Sequence, residues 1–259
     1  MRAKTQAPNV AWRDLAGLAP GEVAWELTRP LPWLLASWYL AGAGWYPAAA
    51  VASFFFFLAG LRLAHDAFHY NLSLPRAVTE FVIWAISAVM LGSMHAVQIH
   101  HLRHHVHCLE DEDLEGSSAR MSAWSALLYG PRFTFALHRY AWRLAGRRQR
   151  KWVVLELGLT VAAATAVLLG PGWWAYHVMA MAAGHCLTAF FAVWTVHHDC
   201  EGDPMPARTL RNRWKSLLSH EMFFHVEHHL FPGVPTRKLA ALASRLDAAW
   251  PEASRRQVW

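Results

Sequence analysis

The sequence predicts an all-α integral membrane protein in one domain spanning residues 1–259. It should have four transmembrane helices, a re-entrant or interfacial helix, and a cytoplasmic helical cap that carries a metal site. Three observations predict this. Hydrophobic residues make up 55% of the 259 and charged residues only 16%. The apolar residues stand in long blocks, and the 17 histidines gather where those blocks end. A helix needs roughly 20 apolar residues to cross the hydrocarbon layer, so a soluble helical core is a poor account of runs this long.

The first block, "LPWLLASWYLAGAGWYPAAAVASFFFFLAGL" (Leu31–Leu61), allows two tight crossings, at about 31–46 and 48–64, with a break near "WYPAAA" (Trp45–Ala50). The last, "WVVLELGLTVAAATAVLLGPGWWAYHVMAMAAGHCLTAFFAVWTV" (Trp152–Val196), reads as a hairpin with spans at about 152–170 and 173–196. "GPG" (Gly170–Gly172) forms its turn. The Arg-rich segments 1–30, 99–151 and 197–259 should all be cytoplasmic, because cytoplasmic loops are enriched in Lys and Arg. The chain must then cross an even number of times between them.

"AVTEFVIWAISAVMLGSM" (Ala77–Met94) can cross only once. At about 77–94 it must therefore be re-entrant or lie embedded along the interface, which is allowed where protein covers the backbone. A conventional span there would divide the histidines between the two sides. Residues 1–20 and the tail after about Pro251 read as solvated ends, and the N-terminus has no apolar run of the cleavable signal-peptide kind.

The net charge of +6 is concentrated in clusters such as "RRQRK" (Arg147–Lys151) and "RTLRNRWK" (Arg208–Lys215) between the apolar blocks. The positive-inside bias explains it without a nucleic-acid partner. Three cysteines, Cys108, Cys186 and Cys200, have neither disulfide-framework nor zinc-ribbon spacing, so they read as reduced thiols.

The histidines carry the chemistry. "HDAFH" holds His65 and His69, "HHLRHHVHC" holds His101, His104 and His105, and "HVEHH" holds His225, His228 and His229. Positions i, i+3 and i+4 project from one face of a helix, so each cluster aims its imidazoles at a common point. One such cluster would be an ordinary group of exposed or capping histidines. Three together exceed that account, because cations packed this densely are costly while neutral imidazoles ligating a metal are stabilised. A structural zinc site wants four ligands and usually thiolates. Imidazole suits Zn, Cu, Fe and Ni alike, and the number of rings suits two ions with positions left open.

These boxes, with "FFHVEHHLFPGVPTRKL" (Phe223–Leu239) around the third, resemble the membrane-bound fatty acid desaturase superfamily over roughly Leu31 to Asp247. The resemblance implies two non-haem iron ions at the cytoplasmic face and O2-dependent attack on unactivated C–H bonds. It implies a multi-pass protein, here of a bacterial inner membrane, with the metal site facing the cytoplasm. It also implies a further ligand at the end of the last span, where "VWTVHHDC" offers His197 or His198, and His197 matches the pattern better. His100 and His107 are then supports or bystanders. Asp66, Asp113 and Asp199 are candidates to hold ligating imidazoles by their other N–H.

Desaturation of a fatty acyl chain is the favoured outcome, because "HLRHHVHCLEDEDLEG" continues less like the carotenoid ketolases. Carotenoid ketolation or hydroxylation, or lipid hydroxylation, is the alternative on the same scaffold. The implied partners are a lipid or other long apolar substrate, membrane lipids, and a separate electron donor such as ferredoxin, which Arg139–Lys151 and Arg208–Lys215 could dock. A His-rich membrane metal transporter is the non-enzyme alternative. It is disfavoured because transporters place ligands at midplane depth, whereas these boxes lie at span ends.

Overall fold

The structure is a computed structural model and describes residues 9–202 and 205–258. Residues 1–8 of the expected solvated N-terminus lie outside them. Helix covers 73% of the chain, and the pairing among the described residues is two isolated bridges at Thr209.

Two short helices come first, α1 (Pro20–Thr28) and α2 (Leu31–Gly42). The long α3 (Tyr46–Phe68) follows, then α4 (Arg76–Met90) and α5 (Met94–His107). Next are α6 (Ala123–Leu144), α7 (Arg147–Thr165) and α8 (Gly172–Thr188). One π-helical turn, Ala189–Trp194, joins α8 to the single turn α9 (Thr195–His197). The C-terminal region holds α10 (Arg213–Leu218), α11 (His225–Leu230) and α12 (Leu239–Ala249).

Three helical runs are long and apolar enough to cross a membrane: Tyr46–Phe68, Arg147–Leu168 and Gly172–His197. The α4–α5 pair passes the same test only if counted as one span, and it is bent by 116°. At 1.5 Å per residue α3 is about 35 Å long, enough for a bilayer core of roughly 30 Å. The expected span at about 31–46 is different. It is the twelve-residue α2, about 18 Å long and too short to cross alone. Gly44, at φ +79°, turns the chain out of α2 into α3, where the Pro47 ring is pre-set for a first helical turn.

The bend between α4 and α5 has local causes. Leu91 takes a left-handed backbone (φ 55°) and stops α4. Gly92 is required because a Cβ there would lie 2.6 Å from the His185 ring. The Ser93 hydroxyl then accepts from Ala96 N and starts α5.

The central core forms where α3, α4, α5 and α8 meet, around Phe56, Phe57, Ile83, Ile86, Met90, Met94 and Met181. The apolar window of α3 is 56% buried and that of α7 only 11%, so α7 stands on the outside, where lipid must solvate it. In α6, Ala126, Gly130, Phe133, Leu137 and Ala141 face inward at helical spacing. Its outer face carries Trp124, Leu128, Phe135 and Trp142 beside Arg132 and Arg139. Sequence reading took 99–151 simply as a charged cytoplasmic segment; this part of it has the two-faced character of a membrane-surface helix.

Most described residues of the two ends are exposed or half-exposed, as expected, but a few side chains are anchored. Leu15 and Leu18 are buried, and Leu15 packs with Phe224, Phe231 and Leu239. Arg245 makes a bidentate pair with Asp14. At the other end Val258 is buried and its N–H donates to Thr209 O.

Candidate metal centre

Four elements deliver nine imidazoles to one place. The end of α3 carries His65, with His69 capping it; α5 carries His101, His104 and His105; α9 carries His197; and α11 carries His225, His228 and His229. His65, His69, His101 and His228 form one set whose ring nitrogens lie within 4.8 Å of one another. His104, His197, His225 and His229 form a second set on the same criterion. His105 lies between them, its Nε2 2.8 Å from His228 Nε2 and its ring stacked 4.5 Å from that of His229.

Fixed tautomers show what this arrangement needs. His104 Nδ1 lies 2.7 Å from Asp113 Oδ2, and His197 Nδ1 lies 2.6 Å from Pro206 O. Both oxygens are acceptors, so each Nδ1 carries a proton and each Nε2 is the nitrogen turned toward the other rings. Those two Nε2 atoms face each other at 3.1 Å. His101 repeats the pattern, with Glu115 Oε1 2.9 Å from its Nδ1 and its Nε2 3.0 Å from that of His69. Ring nitrogens packed this closely in a buried pocket need a cation among them, a metal ion or a shared proton. The donor set therefore fits a pair of imidazole-bound metal ions.

The electrostatics divide the rings: burial lowers His104, but Cys108, Asp113 and Glu115 together hold it well above the usual histidine pKa in the metal-free fold. Burial, reinforced by neighbouring imidazoles, holds His225, His228 and His229 well below the usual histidine pKa, and so neutral and able to ligate. Burial alone would raise Asp113, but His104 and the Gly116 and Leu109 N–H groups, all donating to it, together keep the carboxyl low. Glu115 is lowered against its burial penalty by His101.

The remaining candidates lie elsewhere. His198 stacks on Trp194 at 4.1 Å and donates to Trp194 O, turned away from both sets. His100 Nε2 meets Leu137 O, and His107 pairs with Glu110. Asp66 does not hold an imidazole: it accepts from Thr236 N and Oγ1, tying α3 to the segment after the third box. Asp199 is exposed beside Arg208, at 3.5 Å.

Two acidic residues escaped the sequence reading. Glu115 opens a short 3-10 helix (Glu115–Arg120) whose sequence has no pattern to reveal its partner; the clue was the acidic run after the second box. Glu227, inside "HVEHH", points away from the imidazoles and takes hydrogen bonds from Thr209 Oγ1 (2.7 Å) and Arg211 Nη2 (2.6 Å). It orients α11 from behind. Below the imidazoles, α3 and α8 flank an apolar cavity of about 340 Å³, lined among others by Phe54, Phe57, Leu61, Ala183 and Phe191. Leu61 is one helical turn from His65.

The model of the family described as fatty acid desaturase matches residues 29–259. The chain is 28% identical over 233 residues to a beta-carotene ketolase of Paracoccus sp. (strain N81106 / MBIC 01143), covering 83% of this chain and 87% of that one. It is 23% identical over 257 residues to the chloroplastic omega-6 fatty acid desaturase of Spinacia oleracea, covering 84% of this chain and 56% of the relative. The family and both relatives indicate an oxidoreductase, and the apolar helices a membrane protein. The chain belongs to the fatty acid desaturase family.

Proposed function

We propose that the chain catalyses O2-dependent oxidation of an unactivated C–H bond in a long apolar membrane substrate, with two iron ions held by the two sets of imidazoles. The observation that carries the proposal is the sorting of eight histidines into two tetrads, with His105 in reach of both. His65, His69, His101 and His228 would hold one ion, and His104, His197, His225 and His229 the other. Bound iron supplies the redox activation of O2 that no side chain can provide.

The protein's own part is positioning and exclusion of water. Asp113, Glu115 and the Pro206 carbonyl fix which ring nitrogen is free on His104, His101 and His197. Burial keeps the third-box rings unprotonated. The cavity between α3 and α8 offers a long hydrocarbon a place beside the first box without a charged group in its lining.

The topology that suits this reading has the α4–α5 pair entering and leaving the membrane on one side. His69 precedes that pair and His101 lies within α5, and their Nε2 atoms are 3.0 Å apart, so the chain between them must return to where it began. The first box, second box and third box then share the Arg-rich cytoplasmic face.

Acyl desaturation removes two hydrogens, and O2 takes these with two further electrons and two protons to leave two waters. A separate carrier such as ferredoxin supplies the electrons. Ketolation of a carotenoid is the second reading. It is favoured by the ketolase relative, which the alignment covers almost end to end. Co-expression with ferredoxin and its reductase, followed by mass spectrometry of host lipids and added carotenoids, tests both. Loss of two mass units per acyl chain supports desaturation. Gain of one oxygen with loss of two hydrogens supports ketolation. A purified protein holding about two irons with no oxidised product of either kind would sink the proposal.

A further inference from the structure

The outermost long helix carries a group that its surroundings do not explain. Although α7 is the least buried of the candidate spans, Glu156 near its middle is 1% exposed. A carboxylate at such a depth is costly unless its oxygens are fully served. Here they are. Oε1 accepts from Ser87 Oγ (2.8 Å) and meets His95 Nδ1 (2.5 Å); Oε2 accepts from Ser93 Oγ (2.5 Å) and from the His95 backbone N–H (3.3 Å).

All of these partners flank one feature, the 116° bend between α4 and α5. Ser87 is in the last turn of α4, Ser93 is the N-cap of α5, and His95 is in its first turn. The Ser87 hydroxyl also accepts from Met94 N, so the two sides of the bend are stitched through the same carboxylate. His95 then passes the connection on. Its ring stacks flat on Trp152 of α7, and its Nε2 meets Glu80 Oε2 at 3.2 Å. Glu80 accepts from the Tyr70 hydroxyl at 2.7 Å, and Tyr70 directly follows His69 of the first box.

We infer that Glu156 and His95 are positioning residues for the metal centre: their contact fixes the α4–α5 bend and so sets where the second-box imidazoles meet the first box. The inference rests on the proposed di-iron function but concerns residues that touch no ligating ring. His101, His104 and His105 all hang from α5, which starts at this knot. His101 and His105 must turn to the first-box side while His104 joins the other tetrad. A rotation of α5 about its own axis would move all three together and pull at least one ring out of its set. Both oxygens of Glu156 are acceptors in the knot, so an amide of the same size replaces one acceptor with a donor aimed at other donors.

The test compares wild type, Glu156→Gln and His95→Gln in detergent, without relying on turnover. Iron per chain is measured by elemental analysis, the optical and Mössbauer spectra report the ligand field, and amide hydrogen exchange of the metal-free proteins reports α5. Size-exclusion profiles and circular dichroism establish that the variants are folded. We expect Glu156→Gln to be folded, to lose more than half its iron, and to show altered spectra in what remains. Exchange should rise at least tenfold at Val97 to Ile99 while the core of α3 is unchanged. The double variant should lose little more iron than either single one, as expected of residues acting as a unit. Wild-type iron content and spectra in a folded Glu156→Gln protein would overturn the inference. Absence of iron from the wild type under iron-replete expression would instead overturn the di-iron reading beneath it.

Discussion

His104 Nε2 and His197 Nε2 face each other at 3.1 Å, each with its proton committed to Nδ1 by an acceptor on the far side of the ring. Two ring nitrogens held in that opposition suit a cation between them. The pair also joins α5 to the last span across 93 residues of sequence. The adjacent His198 has the same residue type and the opposite orientation. His197→Ala should therefore lower iron from about two per chain to about one, while His198→Ala should leave the content unchanged. Elemental analysis of purified protein checks both.

The carboxylates behind the rings should matter nearly as much as the rings. Partners of this kind typically change metal affinity 10–100-fold. Asp113→Asn and Glu115→Gln should each weaken iron retention by that order, read as the chelator concentration needed to strip half the metal. Asp199→Asn, whose carboxylate lies out beside Arg208, should have no effect.

Much of this centre was legible in the sequence because helical spacing is a local rule. The i, i+3, i+4 pattern in "HLRHH" and "HVEHH" places three rings on one face whatever the rest of the chain does. What sequence reading could not see were contacts made across space by irregular segments. Glu115 reaches back 14 residues to His101 from the start of a short 3-10 helix, and Glu156 lies within an apolar run whose pattern says nothing about a partner on α5. The span near residue 31 was overextended for a related reason. Composition measures an apolar block but not where glycines break it, and the helix ends at Gly42. The anchoring of Leu15 was missed because a short polar segment is amphipathic only in relation to the surface it meets, here α12 and the loop before it.

Acid should be destructive to the metal-free protein. Buried His225, His228 and His229 are held neutral in the fold, while in the unfolded chain they take protons near pH 6.5. The unfolded state thus binds more protons as pH falls, so stability present above about pH 6.5 is lost below it. Thermal melts of chelated protein between pH 8 and pH 5 should show the midpoint falling steadily below pH 6.5. A flat profile would contradict this account of the rings.

Gly130 is where α6 lies against the last span. A Cβ at that position would collide with the Cys186 carbonyl oxygen, which is backbone and cannot swing aside. Gly130→Ala should cost about 1–3 kcal/mol, the usual range for overpacking. In contrast Gly158→Ala, on the open side of α7, should be neutral or slightly stabilising, since nothing lies within 4 Å of its added carbon. Melting in detergent distinguishes them.

Filling the cavity between α3 and α8 should separate substrate access from metal binding. Ala183→Trp adds a ring to its lining without touching a histidine. We expect iron content to stay at the wild-type level and conversion of long substrates to fall at least tenfold. Unchanged conversion would show that the substrate reaches the centre by another path.

The packing of Leu15 against Phe224, Phe231 and Leu239 has a consequence for how the protein is made. Leu15 finds these partners only near the far end of the chain, although Leu18 beside it already has Ser73 and the α3–α4 core to close against. On the proposed di-iron reading, a nascent chain stalled before residue 225 would present His65, His69 and His101 of one set and His104 and His197 of the other, so neither set would be complete.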